Sequence, residues 1–312
     1  MVNIAIVAFA SVWSRGQFSS AYNLQSMASQ IPEIGLLAIG VMLAMISGQG
    51  GIDLSGAAMA NLAGIVAAIV TPHLFGAATE PTAYTVAFTC IAIASGLLGG
   101  FINGLLIAKG GLTPILATLG TQLLFTGAAV ALTNGSTVRL GYIEPLSAIG
   151  NGSVLGVPTA FWLFLAVIAG LGWFLKHSAY GTQLYLMGTN RKAAFYAGIP
   201  QTRMLIATYT ACGALAALAG VIIASRTASV KWDYGSSYLL ISILITVMAG
   251  IKPEGGYGRV ICLLFSATAL QLLGSAFNLM DLSNFFKDCA WGLLLLLFLA
   301  SSKFDFSQYR LR

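Results

Sequence analysis

Residues 31–70 read IPEIGLLAIGVMLAMISGQGGIDLSGAAMANLAGIVAAIV, and this stretch decides the fold. Over 31–48 the only charged residue is Glu33, in a run about as long as a bilayer's hydrocarbon core requires. A turn follows, Gln49-Gly50-Gly51-Ile52-Asp53-Leu54-Ser55-Gly56, and a second apolar run continues to Val70, where Thr71-Pro72 stops it. Two apolar helices joined by a short glycine-rich turn form the repeating unit of a polytopic membrane protein.

The rest of the chain agrees. It has 312 residues, 58% of them hydrophobic and only 8% charged, with a mean hydropathy of +0.88. Too little polar surface exists to cover a water-soluble globule of this size. The 36 glycines suit helices whose backbones pack closely in lipid. The net charge of +6 is spread over short loops and the tail, so it points to membrane orientation and not to a nucleic-acid partner. Cys90, Cys212, Cys262 and Cys289 all fall inside apolar runs and read as small buried residues. The first apolar run lacks the basic start and small-residue cleavage site of a signal peptide.

The expectation is therefore an all-α polytopic integral membrane protein, a single transmembrane domain over 1–312. About ten transmembrane helices are expected, near 2–13, 31–48, 56–70, 84–108, 111–132, 159–175, 204–225, 238–251, 260–280 and 289–301. Residues 15–30 are polar and read as a segment along the interface. The positive charges of the 176–203 loop (Lys176, Arg191, Lys192, Arg203) and of the tail (Lys303, Arg310, Arg312) place both in the cytoplasm. Four spans lie between them, so the choice is self-consistent. It puts 252–259 inside and the Gly/Ser/Asn-rich loop 133–158 outside, with both termini cytoplasmic if 2–13 crosses. Arg226, Lys231 and Lys287 are the exceptions, each with an acid close by in sequence (Asp233, Asp281, Asp288).

The 176–203 loop, KHSAYGTQLYLMGTNRKAAFYAGIPQTR, still carries helix grammar. Asn190 caps a short helix through Arg191, Lys192, Ala193, Ala194, Phe195, Tyr196 and Ala197; Gly198 supplies a left-handed stop and Pro200 prevents resumption. Ala193 and Ala197 share one face, as do Ala194 and Gly198. Two turns are too few to be stable alone, so the helix docks either on a soluble partner or on its own loop.

No Gly-Lys dipeptide occurs, hence no phosphate-binding loop; if ATP drives this chain, another polypeptide binds it. His73 and His177 lie at loop edges without metal-ligand spacing and read as structural. The chain does not read as an enzyme. Asp53 is the unusual acid. It either caps the helix that begins near Ser55, fixing a sharp turn, or lines a translocation path. Glu33 is expected near the interface. The spans otherwise offer Asn61, Asn103, Gln122, Gln271 and Asn278, with many Ser and Thr. Such groups suit a neutral, hydroxyl-rich solute, or they hold helix to helix.

Four blocks, in order, resemble one family. Gly50-Gly51-Ile52-Asp53-Leu54-Ser55 is similar to the signature turn of ribose-type permeases of ABC importers. Asn103-Gly104-Leu105-Leu106 with Thr113-Pro114 and Thr118-Leu119-Gly120 resembles the family's next block. Gly188-Thr189-Asn190, Ala193-Ala194 and Gly198-Ile199 look like its coupling loop, and Gly255-Gly256, Gly258 and Arg259 like its cytoplasmic turn near the C-terminus. Arg191 stands where an acid is common, and Gly-Ala-Ala follows Ser55 where Val-Gly-Ser is usual.

The resemblance implies the transmembrane subunit of an ATP-driven importer of a sugar or sugar-like solute in the bacterial inner membrane. Its partners would be cytoplasmic ATPase subunits, a second permease copy or paralogue, and a periplasmic solute-binding protein. ATP and Mg would be bound by the ATPases, with no cofactor or metal in this chain. Asn190, Arg191, Lys192, Ala193, Ala194, Ala197 and Gly198 would then form the ATPase-coupling helix, and Asp53, Ser55, Asn61, Asn103 and Gln122 the pathway or gate. The alternatives are a self-sufficient secondary carrier or facilitator, which would place ionisable groups along its path, and a scaffold without transport.

Overall fold

A computed structural model describes residues 16–303 together with residues 3, 7, 10, 11 and 14. The expected span at 2–13 lies largely outside the described residues, and so does the tail from 304 onward. Among the described residues seven helices are long and apolar enough to cross a bilayer. They are α1 (Ala21–Ile46), α2 (Gly56–Val70, extended by a 3₁₀ turn at Thr71–His73), α3 (Pro81–Ala108), α4 (Pro114–Thr133), α6 (Thr159–His177), α9 (Gln201–Thr227) and α11 (Val260–Leu279). Shorter elements are α5 (Glu144–Asn151), α7 (Ala179–Thr189), α8 (Arg191–Tyr196) and α10 (Tyr238–Met248), and α12 (Asn284–Lys303) closes the described chain. The protein is thus an all-α polytopic membrane protein. The expected span at 238–251 shrinks to α10, about 16 Å long and too short to cross alone.

The helix α1 corrects the expected interfacial segment at 15–30. Ser20 caps it, accepting from the Asn23 N–H at 3.3 Å, and the helix runs unbroken through Pro32. Its polar first turns are satisfied across the bundle: Ser275 donates to Asn23 Oδ1 at 3.0 Å and Gln271 to Gln30 Oε1 at 3.3 Å. From residue 31 to 47 every side chain of this segment is buried. A helix apolar on all sides belongs at the centre of a bundle, and α9, α10, α11 and α6 surround it.

Glycine sets the tightest crossing. Gly96, Gly100 and Gly104 form a one-face stripe on α3, and a Cβ at any of them would strike the backbone of α9 near Gly213, Tyr209 or Ile206. Close backbone approach of this kind supplies the dispersion energy that holds helices together in lipid.

The loops segregate to two ends. At one end the external-loop candidate 133–158 folds as a small cap. Its strand β1 (Val138–Arg139) pairs antiparallel with β4 (Ser229–Val230), and β2 (Ser153–Val154) forms a hairpin with β3 (Val157–Pro158). Asn151 on α5 donates to the Ser225 carbonyl at 3.1 Å. At the other end gather residues 46–50, α7, α8 and 250–259.

Candidate functional site

Between α1 and α2 the chain is non-helical from 51 to 55. Backbone of this kind inside a helical membrane bundle must find its hydrogen bonds in neighbouring protein. It does so on α3 and α4. Asp53 is buried, and its Oδ1 accepts from both the Ser55 N–H (2.9 Å) and the Ser55 hydroxyl (2.7 Å). Ser55 Oγ in turn accepts from Asn103 Nδ2 at 2.8 Å, and Asn103 Oδ1 accepts from Thr121 Oγ1 at 2.6 Å. Thr118 secures the backbone beside it, donating to the Ile52 carbonyl and accepting from the Leu54 N–H at 3.0 and 3.1 Å. One buried chain of polar groups therefore joins the start of α2 to the C-terminal turns of α3 and the first half of α4.

Of the residues singled out in sequence, Asp53, Ser55 and Asn103 are brought together here. Asn61 lies farther along α2 and donates to the Trp232 and Tyr234 carbonyls, both at 3.0 Å, tying α2 to the segment before α10. Gln122 is half-buried beside Thr121 but outside this chain of bonds, and its amide oxygen finds no donor among the described residues. Asp53 bonds a free N–H at the helix start, as a cap would; an isosteric amide can accept the same two bonds. Asp53→Asn is therefore expected to leave thermal stability within about 1 kcal/mol, measured by melting of the purified chain. Loss of uptake without loss of stability would assign the carboxyl group a part in transport beyond the cap.

Glu33 lies level with the last turn of α9, near the end that carries the loop cap. It is fully buried (0% exposed) and paired with Arg226, and it also accepts from Tyr238 Oη at 3.0 Å. Arg226 donates further to Tyr234 Oη at 2.9 Å. The nearby acid expected for Arg226 is thus replaced by one 193 positions away. Lys231 does pair with Asp233 at 3.0 Å.

At the opposite end the short helix α8 forms as its residues dictate. Asn190 Oδ1 accepts from the Ala193 N–H at 3.0 Å, and Gly198 stops the helix at φ +75°. The small Ala193/Ala197 face is free, and the Ala194/Gly198 face is free only at Gly198. Ala194 points inward, while Phe195 and Tyr196 stand 69% and 87% exposed in edge-to-face contact. Lys192, Ala193, Ala197 and Gly198 are exposed around them.

Arg191 faces the chain. It donates to Gln49 in the turn before Asp53 and to Gln201 Oε1 at 2.8 Å, and Gln201 returns a bond to the Arg191 carbonyl at 2.6 Å. Beside it three backbones meet. The Gly256 N–H bonds the Ile46 carbonyl at 3.1 Å and the Gly50 N–H bonds the Pro253 carbonyl at 3.2 Å. A Cβ on Gly188 would collide with Ile46 and Gly256. The helix α8 is thereby tied to the 49–55 turn. Gln49 and Thr118 stood in blocks quoted from the sequence without a role of their own, and Gln201 and Thr121 gave no signal, because single polar residues carry no spacing of their own.

A family profile described as the permease component of a branched-chain amino acid transport system matches residues 23–299. The chain belongs to this permease family. The ribose import permease protein RbsC of Escherichia coli strain K12 is 32% identical over 300 residues, 95% of this chain and 89% of that permease. RbsC of Bacillus subtilis strain 168 is 33% identical over 284 residues, covering 90% and 84%. The L-arabinose transport system permease protein AraH of E. coli K12 is 29% identical over 286 residues, covering 89% and 82%. No solved structure matches the permease.

Proposed function

We propose that this permease is the transmembrane subunit of an ATP-driven importer that carries a sugar or sugar-like solute into the cytoplasm by alternating access. The family membership supports the transport role. The solute class rests on the sugar named for its relatives RbsC and AraH, set beside the amino acids of the family description. In this reading the chain crosses the bacterial inner membrane about ten times, with α7, α8, 250–259 and both termini cytoplasmic. Cytoplasmic ATPase subunits hold ATP and Mg and seat α8. A second copy or paralogue completes the pathway, and a periplasmic solute-binding protein delivers the solute at the 133–158 cap.

The observation that carries the mechanism is the short path from exposed α8 through Arg191 and Gln49 to Asp53, Ser55 and Asn103. Closure of the ATPases would displace α8. Arg191 and the glycine contacts at 188, 255 and 256 would pass that displacement to the 49–55 turn, which begins α2. A pathway gate at Asp53, Ser55 and Asn103, flanked by Asn61 and Gln122, would then open alternately to each side.

Two expectations test this. In liposomes holding the permease, its ATPase and its binding protein, uptake of sugar should require ATP. Uptake by this chain alone, without ATP, would overturn the reading in favour of a self-sufficient carrier. Arg191→Ala should leave the ATPase bound but cut the sugar moved per ATP hydrolysed roughly tenfold, the scale of one charge-assisted bond. An unchanged ratio would remove Arg191 from the transmission path.

A further inference from the structure

A groove of about 830 Å³ runs between α6 and α11 toward the end that holds α7 and α8. Its walls are apolar, with Ile168, Gly172 and Leu264 among them, and a side chain built at Gly172 would only touch Val260 at 3.8 Å. Its mouth carries two exposed cations, Lys176 and Arg259. Neither takes part in an ion pair among the described residues. Tyr185 fixes the mouth by donating to the Gly258 carbonyl at 2.7 Å, and Trp173, 67% exposed, stands beside it.

We propose that this groove binds an anionic phospholipid of the cytoplasmic leaflet, with its headgroup on Lys176 and Arg259 and an acyl chain along the apolar wall. The dimensions agree. Lining residues on α6 extend from Leu165 to Lys176, about 16 Å of helix, and one leaflet of hydrocarbon is about 15 Å thick. Paired cations at the cytoplasmic ends of neighbouring helices attract anionic headgroups, each adding to the attraction, and an exposed Trp suits headgroup depth. A small hydrated anion would gain nothing from the apolar wall. A protein surface would have to bury two cations that this chain leaves unneutralised. The inference rests on the orientation given above, not on the identity of the solute.

The test is native mass spectrometry of the full chain in detergent, titrated with dioleoyl phosphatidylglycerol and, separately, with phosphatidylcholine of the same chains. Phosphatidylglycerol should bind roughly tenfold better. Lys176→Gln with Arg259→Gln should erase that preference while the elution profile stays that of the folded chain. Gly172→Trp, which fills the groove and keeps both cations, should weaken phosphatidylglycerol binding as well. Equal binding of the two lipids, a preference that survives the double charge substitution, or displacement by inorganic phosphate would each overturn the proposal. Lys192→Cys should resist a membrane-impermeant maleimide added to intact cells. Labelling from outside would overturn the orientation, and the leaflet with it, whatever the lipid titration gave.

Discussion

Glu33→Ala should destabilise the protein by about 3–5 kcal/mol, the cost of leaving a buried cation without its partner. Glu33 sits inside the central helix α1 with no solvent contact, and Arg226 is only 22% exposed. The substitution therefore strands a guanidinium where water reaches it poorly, and it frees Tyr238 of its acceptor. Thermal unfolding in detergent, followed by size-exclusion chromatography, reads the loss. Arg226→Leu should cost a similar amount, since it leaves the carboxylate alone. The combined Glu33→Met, Arg226→Leu variant should recover most of the stability, because apolar side chains of similar volume replace a buried pair at little net cost. A double variant no more stable than the singles would mean that the pair does not act as a unit.

Phe195→Ala with Tyr196→Ala should abolish assembly with the ATPase. Exposed aromatics that fill a partner's pocket commonly contribute 2 kcal/mol or more each, so losing both implies a weakening of roughly a thousandfold. On this six-residue helix the two rings are the largest exposed apolar side chains, and their removal leaves the Asn190 cap and buried Ala194 untouched. The fold should therefore melt unchanged while co-purification with the ATPase is lost and uptake ceases. Retained co-purification with lost uptake would place the docking contact elsewhere on the end that holds α7 and α8. The contrast with Arg191→Ala, which should bind but transmit poorly, separates the surface that docks from the residue that relays.

What the sequence disclosed, and what it hid, follows from how far each interaction reaches. Spans 56–70 and 159–175 were legible because apolar length is a local property, and α2 and α6 match them closely. The Asn190 cap and the Gly198 stop were legible because capping spans only a few residues. The start of α1 at Ala21 was not, since Asn23 and Gln30 look interfacial until Ser275 and Gln271 on α11 are seen to bond them. The partner of Arg226 escaped for the same reason: sequence offered the near acid Asp233, and only the tertiary fold brings Glu33. At the candidate site, Asp53, Ser55 and Asn103 stood out individually, but their linkage to Thr121 depends on how α3 and α4 cross. The outward turn of Phe195 and Tyr196 likewise depends on which side of α8 the rest of the protein occupies.

The burial of α1 also bears on how the protein is made. The helix that ends at the centre of the bundle leaves the ribosome ahead of α6, α9, α10 and α11, so it enters the membrane before any of them exists to enclose it. Glu33 must wait for Arg226, 193 residues behind it, a delay of about 10–40 s at ordinary synthesis rates. Through that interval its carboxyl group has only lipid, water defects or the insertion machinery for company. A nascent chain arrested short of α9 should accordingly be the species that quality-control proteases find first.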